Sequence, residues 1–105
     1  MSENQQFLYQ FEAVRPEMVR DPNAWTPDDV AVAEAHVAYL REATEIGTVI
    51  LAGRSLDGVG PAIVIVEVAS EEEARIFMEQ DPFVREGLMR ATLHPFRAAM
   101  IRRSS

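Results

Sequence analysis

One histidine and one aspartate in this chain fall where two helices are expected to meet. His36 lies in Glu34-Ala35-His36-Val37-Ala38-Tyr39-Leu40, and Asp81 closes a second helical stretch in Glu79-Gln80-Asp81-Pro82-Phe83. A carboxylate that orients an imidazole is the smallest apparatus that moves a proton near neutral pH. The same two residues also admit a purely structural reading, a hydrogen bond between neighbouring helices, and an aspartate before proline is a frequent turn former. The other histidine, His94, precedes Pro95 with nothing acidic near it in sequence, and a structural role suits it better. Histidines and scattered carboxylates give no metal-ligand spacing, so no metal site is expected.

Four more residues are candidate substrate contacts. Gly53 interrupts a strand pattern in Leu51-Ala52-Gly53-Arg54. A strand glycine marks a bulge or a place where something approaches the backbone closely. Arg54 beside it suits an anionic group on a ligand, or simply solvent. Tyr39 shares a side of its helix with His36, and Phe83, together with Trp25, offers an apolar wall near the pair. No Gly-rich phosphate loop and no Ser nucleophile elbow is present, and no organic cofactor is expected. The aromatic residues are not interleaved with a basic stripe, so no stacking platform for nucleic acid is suggested.

Composition narrows the classes. A chain of 105 residues is expected to form one domain spanning 1–105, and 48% hydrophobic residues supply its core. The absence of cysteine excludes a disulfide scaffold, a thiolate metal site and a Cys nucleophile, and it suits a reducing cytoplasm. The first residues, Met1 to Gln6, lack the basic-then-apolar pattern of a signal peptide, and no apolar run approaches a membrane span. A net charge of −7 repels phosphate backbones and anionic lipid, and the pair Arg102-Arg103 is too small to change that. Nucleic acid and membrane are therefore not expected partners.

The elements that must carry the pair are readable in order. Phe7 to Val14 has period-two alternation, with Phe7, Tyr9, Phe11 and Ala13 on one face of a strand. Arg15 to Trp25 is a loop. Thr26 then caps a helix, with Pro27 at its first position and Asp28 and Asp29 at the positive end of the dipole. Val30, Ala33, Val37, Leu40 and Thr44 form its apolar stripe, and His36 falls about 80° away on the margin. Gly47 is the expected stop.

Val49 to Leu56 and Ala62 to Ala69 read as a hairpin turning through Asp57-Gly58-Val59-Gly60-Pro61. Ile63 and Ile65 point one way, and Val64, Val66 and Val68 the other. Both faces of that strand are apolar, so the face away from the helices should pack on something, most simply a second copy of the chain. Ser70 to Glu73 reads as a capping box opening a second helix, with Ala74, Phe77, Met78 and Asp81 on its inner stripe. Pro82 ends that helix at Asp81, a short turn runs to Gly87, and Arg90 to Arg102 is the last strand, with Pro95 marking an edge or a bulge. The order strand, helix, strand, strand, helix, strand predicts an α+β, ferredoxin-like four-stranded antiparallel sheet with both helices on one face.

In these residues the chain resembles the YCII-related (YciI-like) family. The resemblance is carried by His36 with Leu40, by Gly53, by Ser70 to Ala74, by Asp81-Pro82-Phe83 with Gly87, and by Pro95-Phe96. It implies a ferredoxin-like fold that dimerises through its sheets, as in the dimeric α/β-barrel superfamily, and it maps the family's His and Asp site residues onto His36 and Asp81. Enzymes of related fold include isomerases and lyases acting on small ring compounds, an analogy at fold level. The expectation is a cytoplasmic homodimer in which His36, held by Asp81, transfers a proton on a small cyclic, oxygenated substrate, without cofactor or metal. The alternatives are a non-catalytic small-molecule binding module and a structural dimer. The loop from Arg15 to Trp25 is long for the family, which makes the pocket rim particular to this chain.

Overall fold

A computed structural model describes residues 4–102; Met1 to Glu3 of the polar start and Arg103 of the terminal arginine pair lie outside them. The elements are β1 (Gln5–Ala13), α1 (Pro27–Glu45), β2 (Val49–Arg54), β3 (Ala62–Val68), α2 (Glu71–Gln80), the one-turn helix α3 (Pro82–Arg85) and β4 (Met89–Phe96). The strands form one antiparallel sheet in the order β2-β3-β1-β4. This is the ferredoxin-like order that alternation and capping signals predict. The helices cover one face, over a core of Phe7, Tyr9, Val49, Val64 and Val66 from the sheet and Leu40, Ala43, Ala74 and Met78 from the helices. Among the described residues no helix is long and apolar enough to cross a membrane.

The loop after β1 is tied down. It holds two short 3-10 turns, Pro16–Val19 and Pro22–Ala24, and the Trp25 indole donates to the carbonyl of Met18 at 2.8 Å. Thr26 and Asp29 then form a reciprocal capping box on α1, and Asp29 also meets Arg15 from the end of β1. At α2 the expected box is shifted. Ser70 accepts from the Glu73 backbone, but the Glu73 carboxylate reaches back to the Ala69 amide at 2.9 Å instead of that of Ser70.

Helix α1 departs from the sequence expectation in rotation. Its buried and half-buried positions are Asp29, Val32, Ala33, His36, Tyr39, Leu40 and Ala43, whereas Val30 and Val37 stay 47% and 46% exposed. At about 100° per residue, this inner face centres on His36 and is turned roughly 80° from the expected aliphatic stripe. Polar partners explain the rotation. Asp81 and the Phe77 carbonyl wait beneath α1, for His36 and for Tyr39. Stranding a buried charge costs about 3–5 kcal/mol, against about 1 kcal/mol for each valine left half out.

Two strand expectations also change. The irregularity in β2 falls between Val49 and Leu51, not at Gly53. Strand β4 ends at Phe96 rather than Arg102, and among the described residues its last pair with β1 is Gln6–Phe96. The Gln6 side chain instead takes the Ala98 amide at 2.6 Å. Pro95 sits on β4, which is an edge strand as its missing N–H requires.

Candidate functional site

Asp81 is placed by its own tripeptide. Pro82 disfavours helical geometry at the preceding residue, and Asp81 adopts φ −59°, ψ 125°, ending α2. Pro82 then occupies the first position of α3, and Asp81 Oδ1 caps that helix by accepting from the Phe83 amide at 3.0 Å. The turn-forming and pair-forming readings of Asp81 are therefore both realised in one carboxylate. The side chain is fully buried.

His36 reaches this carboxylate from α1, with Nδ1 2.7 Å from Oδ1. The other oxygen, Oδ2, accepts from the Tyr9 hydroxyl at 2.8 Å. Burial first, and the Asp81 charge second, push the Tyr9 hydroxyl well above its ordinary value, so it keeps its proton and acts as a donor. With both carboxylate oxygens accepting bonds, the network assigns the proton between the pair to Nδ1. That leaves Nε2 as the basic nitrogen. Nε2 has no partner among the described residues, and no buried side-chain nitrogen or oxygen there lacks one, so Nε2 opens to solvent.

Phe83, two residues after Asp81, stacks on the imidazole with ring centroids 3.9 Å apart and 25° between planes. Phe11 meets His36 edge-on at 5.6 Å, and Trp25 stands 6.4 Å behind Phe83. Asp81-Pro82-Phe83 thus supplies both the acceptor and the plate that hold the ring. Trp25, Phe83 and Phe11 form an aromatic cluster beside the pair.

His36 lines an open groove of about 510 Å³ between α1 and β2. Its floor includes Val37, Leu40, Thr44 and Ala52, and its charged members are Arg41 and Glu45. Val37, left exposed by the rotation of α1, is one of its lining residues. A second depression of about 720 Å³, between α2 and β4, has Glu12, Arg75, Glu79 and Arg90 around it and no histidine. Proton chemistry therefore favours the first.

The remaining candidates are spread out. The Tyr39 hydroxyl, pushed up to about 12 by burial and then by Asp81, is taken by the Phe77 carbonyl at 2.8 Å. Gly53 lies opposite Ile63, on the sheet face away from the helices, and no described residue stands within 4 Å of where a Cβ would be. Arg54 is exposed and lies on the helix side of β2, two residues past Ala52. His94 is exposed, 3.2 Å from the Thr92 hydroxyl. Among the described residues no group of three or more His, Asp or Glu side chains is arranged to hold a metal ion.

Two residues escaped the sequence reading. Arg41 is the cation of the groove, and on a helical wheel it counts only as part of the wet face. Tyr9 carried a signal that was usable: a hydroxyl at an inward strand position, between two phenylalanines, needs a buried partner.

A family model described as the YCII-related domain matches residues 12–97. Among solved structures, 5-chloro-2-hydroxyhydroquinone dehydrochlorinase from Burkholderia phenoliruptrix AC1100, in complex with 2,5-dihydroxybenzoquinone, is similar, with a TM-score of 0.64 at 23% identity over 88% of this chain and 93% of that chain. At that identity the likeness is one of fold. No curated protein matches the sequence.

Proposed function

The chain belongs to the YCII-related family, and from that premise we propose that it is a cofactor-independent lyase or isomerase acting on a small cyclic, oxygenated substrate. His36 Nε2 takes a proton from a carbon beside a carbonyl, which a hydroquinone supplies in its keto tautomer. The electron pair left behind forms a new double bond, and either a leaving group departs with its own pair or the proton is returned at another carbon. Asp81 holds the Nδ1–H tautomer and stabilises the imidazolium while the proton is on the ring. The observation that carries this reading is the buried Asp81 carboxylate paired to His36, a residue that lines a groove and whose other ring nitrogen has no partner among the described residues. The dehydrochlorinase of similar fold, bound to a dihydroxybenzoquinone, supports the substrate class by analogy.

Arg41, in the groove, and Arg54, beyond Ala52, have no ion-pair partner among the described residues. In a chain of net charge −7 they give the site a local pull on an anionic substrate group. The working form is a single-domain cytoplasmic homodimer joined through the sheet face that carries Leu8, Leu51, Ile63 and Ile65. Sedimentation at micromolar concentration gives a dimer mass on this reading, and a monomer there would refute the assembly.

The test is turnover of a panel of hydroxylated and chlorinated hydroquinones and unsaturated lactones, read by ultraviolet absorbance. For any compound the wild type converts, His36→Ala with an intact circular dichroism spectrum loses about 10²- to 10⁴-fold in rate. Full activity in that variant sinks the proposal. A second reading, a non-catalytic binding module, draws on Asp81 also being a helix cap, which gives the pair a reason to exist without chemistry. Tight binding of a panel compound that is recovered unchanged would favour it.

A further inference from the structure

We propose that Tyr9 is a positioning residue of this site, fixing the plane and the charge of the Asp81 carboxylate and through it the aim of the His36 ring. The inference rests on the reading of His36 and Asp81 as a proton-transfer pair and adds a third member to it.

Tyr9 stands at the middle of β1 with no exposed surface. The inward positions on either side of it in the same strand are Phe7 and Phe11, so packing alone asks for an aromatic ring here and not for a hydroxyl. The ring does pack like its neighbours, edge-on to Phe11 at 5.3 Å and to Phe77 at 6.3 Å. What sets position 9 apart is one oxygen, and that oxygen sits 2.8 Å from Asp81 Oδ2.

The carboxylate is held at both ends. Oδ1 receives the His36 ring and the Phe83 amide, and Oδ2 receives Tyr9. Without the hydroxyl, Oδ2 is a fully buried acceptor with nothing to accept from. The side chain is then free to turn about its terminal torsion, which is soft and broad for aspartate. As the carboxylate turns, the ring bonded to Oδ1 turns with it and loses its fixed aim, while the bond between Nδ1 and Oδ1 is kept.

The hydroxyl also acts on charge. The titratable groups around Asp81 are His36 and Tyr39 from α1, Tyr9 from β1, and Arg85 from α3, which acts on Tyr39 together with Asp81. Of these, Tyr9 and His36 bond the carboxylate directly, from opposite oxygens. Each donor drains charge that the other would use. Removing Tyr9 therefore strengthens the hold of Asp81 on a protonated ring and raises the proton affinity of the pair as a whole, whichever member carries the proton.

The experiment is a pH titration of the His36 imidazole by NMR in wild type, Tyr9→Phe and Asp81→Asn, with His94 as the internal reference. The proposal expects the His36 midpoint to rise by roughly half a unit to one unit in Tyr9→Phe while His94 stays put. An unchanged His36 midpoint in folded Tyr9→Phe, with Asp81→Asn clearly lowering it, overturns the role of Tyr9 and leaves the pair standing. No change in either variant removes the pair itself. Should Tyr9→Phe fail to fold, 3-fluorotyrosine placed at position 9 alone keeps the shape and donates more strongly. The midpoint must then fall, and a midpoint that does not move overturns the proposal.

Discussion

Two aspartates in this molecule do the same structural job with opposite chemical consequences. Asp29 completes the capping box of α1 with Thr26 and meets Arg15 from the end of β1. Asp81 caps α3 and meets His36 from α1. Each carboxylate closes a helix start and receives one cationic-type side chain across the chain. Arg15 keeps its charge at any working pH, so the Asp29 contact is a clamp and nothing more. His36 can give its charge up, it lines a groove, and its second nitrogen has no partner among the described residues. The partner's ability to lose a proton, more than the carboxylate, turns a cap into a candidate site.

The comparison breaks most visibly at Asp81. Asp81→Ala strands the Tyr9 hydroxyl, the Phe83 amide and the His36 ring together, and urea unfolding should report a loss of about 3–5 kcal/mol. A loss under 1 kcal/mol would mean that the carboxylate is not the hub of that corner. At the other corner, Thr26→Ala removes one cap bond on α1 and should cost about 1 kcal/mol by the same measurement, without moving the His36 titration. A shift of the His36 midpoint in that variant would show the two corners to be coupled.

The smallest expected effect is a pH dependence. The Thr26 amide first, and the Arg15 guanidinium second, hold the Asp29 carboxyl below its ordinary value of 3.8. A depressed folded value means that this contribution is complete above about pH 4 and is lost as pH falls through the folded value. Asp29→Asn should therefore narrow the stability gap to wild type as pH drops below 4, measured as melting temperature from pH 6 to pH 2. A gap that widens toward acid would reverse the assigned sign.

The corner at Asp81 was legible because its signals are local. Pro82 sets the end of α2, Asp81 sets the cap, and Phe83 follows by position, so one tripeptide announces acceptor, break and stacking plate. Thr26-Pro27 announced α1 in the same way. What could not be read depends on distant partners. The Tyr9–Asp81 bond joins residues 72 positions apart. It exists only because the register brings β1 beneath the end of α2. The aliphatic pattern misjudged the rotation of α1 because a hydrophobic stripe counts valines and ignores the buried acceptors that call His36 and Tyr39 inward. The end of β4 was missed for a related reason: a strand extends only as far as its neighbour, and β1 begins at Gln5. Gly53 looked like a bulge by composition, whereas the irregularity falls beside Ile50, where no residue type signals it.

The central claim is that Asp81 holds the proton on Nδ1 of His36 and leaves Nε2 bare as the base. A long-range proton–nitrogen correlation spectrum of the neutral imidazole, at a pH above its titration, reads this directly. Free histidine favours a proton on Nε2. The account predicts the reverse for His36, with Nδ1 protonated in wild type and the preference lost in Asp81→Asn. A His36 that carries its proton on Nε2 in the wild-type protein would contradict it.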